Sequence, residues 1–145
     1  VIISNPSHRK KFHDAMESIH IGMGNIFGIT ASIAAYTHGE EWLVKVMEYI
    51  GGNVDLVMEF CKTRIPQIKP MKPEATYLVW LNCRDLGLSN PGLKEFMIGK
   101  ARLGFNDGPS FGMGGEGFQR MNVGCPRSVV GQALERLEKA VKDME

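Results

Sequence analysis

In the first third of the chain, apolar residues recur at helical spacing, with clear punctuation between the runs. Asn5 is placed to cap a helix with Pro6 in its first position, and Phe12, Met16 and Ile19 follow on one face. Asn25 opens a second helix through Ile26, Ala34 and Ala35, which Gly39 is expected to close as a left-handed cap. From Glu40 onward, Trp42, Val46, Ile50, Val54, Val57 and Cys61 mark one long helix that stops before Pro66. Gly51 and Gly52 weaken it by about 1 kcal/mol each relative to alanine, so a bend is expected there.

Beyond Pro66 the period changes. TYLVWLNC at 76–83 is rich in aromatic and branched residues and lies between Pro73 and Gly87, which predicts a strand buried on both faces. A helix over about 91–100 precedes two further strands, at 101–105 or 106 and at 118–123, joined by a glycine-rich loop. Val129, Val130, Ala133, Leu134, Leu137, Ala140 and Val141 then form one stripe of a final amphipathic helix, with Ser128 as its expected cap. Helices first, then a small sheet with helices packed on it, defines an α+β fold with a three-stranded sheet, mixed or antiparallel. There is no internal repeat, low-complexity tract or internal linker.

Composition narrows the function classes. At 145 residues the chain has the length of one ordinary domain. Seventeen basic against sixteen acidic residues leave a net charge of +1, with no basic cluster interleaved with aromatics, so neither nucleic acid nor an anionic membrane is an expected partner. Apolar runs are too short for a membrane span and no signal peptide is evident, which reads as cytoplasmic. Cys61, Cys83 and Cys125 lack metal or redox spacing and are expected to be buried free thiols. The four histidines have no i, i+4 pairing, and no metal site is expected.

The stretch GMGGEGFQRMN at 112–122 carries the chemistry. Gly112, Gly114 and Gly117 match the dinucleotide fingerprint, but a strand-like FQRMNV follows where a phosphate-binding helix is needed. A flexible glycine loop is the better reading. In the strand, period two places Phe118, Arg120 and Asn122 on one face and Gln119, Met121 and Val123 on the other. An arginine on a mostly covered sheet needs an anionic partner: an internal acid, the commoner case, or a ligand carboxylate that its planar fork fits. Tyr77 and Trp80 either line a pocket near Arg120 or belong to the core.

In order along the chain, AAYTHGEEWL at 34–43, YIGGN at 49–53, IPQIKPMKPEATYLVWLNCRDLGL at 65–88 and GPSFGMGGEGFQRMNVGCPR at 108–127 resemble the C-terminal part of a fold-type I pyridoxal-phosphate enzyme. The resemblance is nearest to the cystathionine β-lyase or C–S lyase branch of the class I and II aminotransferases. It implies that Arg120 grips the α-carboxylate of an amino-acid substrate. It also implies that residues 40–145 form the C-terminal small domain, that 1–39 are helices of the large-domain side, and that the full-length enzyme is a homodimer using pyridoxal 5'-phosphate.

The family's Schiff-base lysine, pyridine-nitrogen partner and phosphate contacts have no counterpart in the chain. Lys10 and Lys11 lie on a polar helix face and are read as solvated. The resemblance therefore implies a fragment that lacks an N-terminal cofactor-binding domain, contains no catalytic or cofactor-binding residue, and is inactive alone. Residues such as Ile26, Phe27 and Ile33, which rest on the large domain in the family, are then left without cover. The implied parent activity is β-elimination from a sulfur amino acid, giving thiol, ammonia and a 2-keto acid. Transamination on the same scaffold is the alternative, and a non-catalytic regulatory or interaction domain is the alternative from another class.

Overall fold

A computed structural model of the chain describes residues 2–21 and 24–144. They form two compact units, residues 1–44 and residues 45–145.

The first unit is helical. In α1 (Pro6–Ser18) the Asn5 side chain accepts from the Ser7 and His8 amides, and in α2 (Ile26–His38) Asn25 does the same for Phe27 and Gly28. These side chains satisfy donors that a helix start leaves unpaired. Gly39 does cap α2, but at φ −87° it stays right-handed, because α3 (Glu40–Arg64) begins at the next residue. Neither α1 nor α2 has a buried residue, and Ile26, Phe27 and Ile33 are 71, 82 and 63% exposed. Lys10 and Lys11 are exposed, and Lys10 pairs with Asp14 one turn on.

α3 runs unbroken through Gly51 and Gly52. A Cβ at Gly52 would collide with the Arg127 guanidinium, so this glycine is there to let an arginine cross the helix.

The second unit carries a four-stranded, wholly antiparallel sheet in the order β1 (Lys69–Met71), β2 (Leu78–Asn82), β4 (Phe118–Asn122), β3 (Asn106–Asp107). This is one strand more than the sequence predicts. The unforeseen β1 contains Pro70 and lies at an edge, where a missing N–H is tolerated. Residues 101–105 are not a strand. The helix α4 (Asn90–Glu95) runs into a π turn (Phe96–Lys100), and Arg102 then takes φ 56°, so Ala101 and Leu103 are buried in an irregular exit. Pairing is delayed to Asn106.

In β2 only Val79 and Leu81 are fully buried. Leu78, Trp80 and Asn82 are half-covered, so the strand has one core face rather than two. Val79, Leu81 and Met121 join Val54, Val57 and Cys61 of α3 and Val130, Leu134 and Leu137 of α5 (Arg127–Lys142) in one core. α5 starts ahead of Ser128, with Pro126 at the cap position and no side-chain cap.

Two buried polar groups tie α5 to α3. Glu138, 6% exposed, takes Arg64 in a two-bond fork and also accepts from Lys142 Nζ at 2.7 Å. The Lys142 hydrogen bond, with Arg64 adding to it, holds the Glu138 carboxyl below its usual range against the opposing effect of burial. Asn53, fully buried, donates to the Val123 and Cys125 carbonyls, both at 2.9 Å, and accepts from Arg127 Nε at 3.0 Å.

Cys61 and Cys83 are buried free thiols, and Cys125 is half-buried. Burial pushes the first two up to about 12. In the unfolded chain they ionise near 8.5. The unfolded state therefore sheds these protons first, and stability is full below about pH 8.5 and falls as pH climbs towards 12. Urea midpoints between pH 8 and 10 are expected to drop, and Cys61→Ala to flatten that drop whatever it costs in packing. In native protein at pH 8, iodoacetamide is expected to label Cys125 alone, and rapid labelling of Cys61 would contradict this burial.

Candidate functional site

The antiparallel register sets one residue from each strand in a single row across the sheet: Met71, Trp80, Arg120 and Asn106. Directly paired residues share a face, and Phe118 joins them two positions along β4. The Phe111 ring, from the 3-10 turn Gly108–Phe111, stands edge-on to Trp80 with centroids 5.2 Å apart, and Phe118 does so at 6.2 Å. Met71, Trp80, Phe111, Met113 and Phe118 wall a cleft of about 310 Å³ with the glycine loop. Trp80 is thus a wall residue rather than a core residue. Tyr77 packs at Gly124 and lines no part of this cleft.

Arg120 stands behind one wall of this cleft, stacked on Phe111. Its guanidinium lies 4.3 Å from the centre of the Phe111 ring, and one terminal nitrogen, Nη2, donates to Asn106 Oδ1 at 3.1 Å. Its Nε is buried without a hydrogen-bond partner, and among the described residues Arg120 has no ion pair. The internal acid that residue statistics favour is therefore absent from its surroundings. A buried N–H left bare costs about 1–3 kcal/mol, so an acceptor arriving in the guanidinium plane would gain more than a surface hydrogen bond. Arg120 itself lines a separate hollow of about 200 Å³ with Phe105, Asn106 and Asn122.

The loop between the cleft and β4 is not a phosphate cradle. Gly112, Gly114 and Gly117 have φ of 114°, 91° and 77°, which other residues rarely adopt. Their N–H groups are taken within the chain, by the Pro109 carbonyl, the Glu116 carboxylate and Asn90 Oδ1 respectively. Arg84 clamps the loop from outside: its Nε donates to the Glu116 carbonyl at 3.0 Å, and its guanidinium covers the Phe118 ring at 4.8 Å.

Sequence reasoning missed Asn106, Phe111 and Asn53. Through Asn53 and Arg127, whose amide donates to the Tyr49 hydroxyl at 2.7 Å, α3 holds the exit of β4 at Val123, Cys125 and Arg127, three to seven residues past Arg120. The signal for Asn53 was present, since it falls on the same helical stripe as Ile50, Val54 and Val57.

Among the described residues, no group of His, Cys, Asp or Glu is placed to hold a metal ion, and no helix is long and apolar enough to cross a membrane. Every lysine of the chain is exposed, and none lines the cleft or the hollow beside Arg120. The described residues thus provide an apolar wall with an arginine stacked on one of its rings.

An antiparallel sheet packed with a long helix and a C-terminal helix, and carrying an arginine that has no ion pair among the described residues, defines an α+β domain. No protein-family model matches the chain. Its similarity to individual proteins is extensive. It is 36% identical over 141 residues to cystathionine β-lyase PatB of Bacillus subtilis, covering 97% of the chain and 36% of the relative. It superposes on cystalysin from Treponema denticola, whose structure contains pyridoxal 5'-phosphate, with a TM-score of 0.93 and 37% identity over 99% of the chain and 36% of cystalysin. It is 31% identical over 124 residues to an aspartate aminotransferase of Pyrococcus horikoshii, covering 83% of the chain and 32% of that enzyme. The chain belongs to this family of C–S lyases and aminotransferases, with the fold of their C-terminal domain. It spans about a third of the length of the relatives it matches.

Proposed function

We propose that the protein carrying this segment is a pyridoxal-phosphate-dependent C–S β-lyase, releasing thiol, ammonia and a 2-keto acid from a sulfur amino acid, with Arg120 gripping the substrate's α-carboxylate. The observation that carries this reading is a guanidinium with no acid beside it and one neutral hydrogen bond, stacked on Phe111, a wall residue of the apolar cleft. The names of the relatives support the reaction class. Trp80, Phe111, Met71 and Met113 suit a thioether side chain, since sulfur packs favourably against aromatic rings.

The electron sink for breaking the C–S bond is the cofactor's, and the described residues do not hold it. This chain's share is to bind and orient: Arg120 fixes one end of the substrate, the aromatic wall holds the other, and water is kept off the apolar side. Action as a cytoplasmic homodimer, with an amino-terminal cofactor-binding domain, belongs to the same proposal.

Transamination is the second reading, favoured by the aspartate aminotransferase relative. Incubation of the cofactor-loaded, full-length protein with cystathionine separates the two. Pyruvate and free thiol without any keto-acid acceptor are expected. Turnover only when 2-oxoglutarate is added would make it a transaminase, and no turnover either way would leave a non-catalytic interaction domain.

A further inference from the structure

We propose that Asn106 is a positioning residue for Arg120. It holds the guanidinium with a neutral acceptor and so leaves the positive charge uncompensated for an incoming carboxylate. This rests on the reading of Arg120 given above.

The two residues of β3 face β4 in a crossed arrangement. Asn106 pairs with Arg120 and Asp107 with Gln119. The neutral amide therefore serves the cation, through the Nη2 to Oδ1 bond of 3.1 Å, while the acid serves a neutral amide, Gln119 Nε2, at 2.9 Å. For stability alone the opposite order is better, because an acid at 106 would form a charge-assisted pair with the arginine. The chain instead keeps a cation with one neutral bond and an orphaned, buried Nε.

Phe111 completes the hold. Its ring covers one face of the guanidinium at 4.3 Å, which favours approach of a carboxylate in the guanidinium plane. Asn106 fixes that plane from one side and Phe111 from above, and both come from the segment 106–111 that follows the irregular exit of the π turn. A single change to Asp at 106 supplies from within what the site is kept open to accept from without.

The test uses the 145-residue chain labelled with ¹⁵N-arginine and the Arg120 Nε–H resonance, assigned through Arg120→Lys. The probe is L-methionine, which carries an α-carboxylate and a thioether but no leaving group at the β-carbon. Three outcomes are expected. The wild-type resonance shifts saturably with methionine. Asn106→Asp melts at a higher temperature and binds at least about tenfold more weakly, because its own carboxylate occupies the fork. Asn106→Ala, which loses the bond without adding charge, binds more weakly than wild type, by a smaller factor, and melts no higher. Wild-type methionine affinity in Asn106→Asp, or a lower melting temperature for it, overturns the inference while leaving the role of Arg120 standing. A wild-type resonance that ignores methionine overturns both.

Discussion

Replacing Arg120 with alanine is expected to lower kcat/KM of the full-length enzyme for an amino-acid substrate by about 30- to 1000-fold, equivalent to roughly 2–4 kcal/mol of lost transition-state binding. The magnitude follows from the surroundings. The guanidinium has a single neutral hydrogen bond, its Nε is buried and bare, and a ring covers one face, so most of its bonding capacity is unspent. Were Arg120 tied to an internal acid, its loss would read out mainly as instability. Here it should read out as lost turnover in a folded protein. Lysine should restore only part of the activity, since a point charge lacks the planar fork. Wild-type kcat/KM in Arg120→Ala would end the assignment.

The second large effect concerns stability. Asn53→Asp retains the side-chain volume and the acceptor for Arg127, but it sets a carboxylate oxygen where an amide donated to the Val123 and Cys125 carbonyls. Two buried acceptors lose their donor and face a charge instead, which is expected to cost on the order of 3 kcal/mol or more. The check is the urea midpoint of the 145-residue chain at constant m-value. A change below about 1 kcal/mol would mean that Asn53 is not the clasp the geometry makes it. Because Val123 and Cys125 follow β4 directly, the same substitution should also broaden the Arg120 Nε–H resonance, which a remote packing defect would not do.

Much of the helical architecture is legible in the amino-acid sequence because its signals are local. Asn5 before Pro6, Asn25 before Ile26 and the stop ahead of Pro66 each act within a turn of the residue concerned, and each marks the end it predicts. The face of Arg120 is legible for the same reason, since period two needs no tertiary information: Gln119 and Met121 are buried, and Arg120 stands with Phe118 opposite them. What fails is decided by distant partners. β1 is three residues long, contains a proline and exists because β2 offers it an edge. The apolar run at 101–105 looks like a strand, but it is bent away by the π turn ahead of it and by the left-handed Arg102.

The candidate site divides in the same way. Arg120 is a candidate through its strand and its family resemblance, whereas the lack of an acid beside it depends on which residue of β3 falls opposite, a matter of register. Asn106 carried no signal once the strand was placed too early. Asn53 and Glu138 carried one that went unread: each is a polar residue on the apolar stripe of its helix, the first beside Val54 and Val57, the second between Leu134 and Val141. Such a residue must find buried partners, and both do.

The central claim is that Arg120 receives the substrate's carboxylate, and the most direct measurement is a crystal structure of the full-length, cofactor-loaded protein with an unreactive amino-acid analogue bound. Expected are both carboxylate oxygens in the guanidinium plane at about 2.7–2.9 Å, with Asn106 still on Nη2 and Phe111 still over the face. A carboxylate bound elsewhere, with Arg120 turned to an acid of the protein, would contradict it.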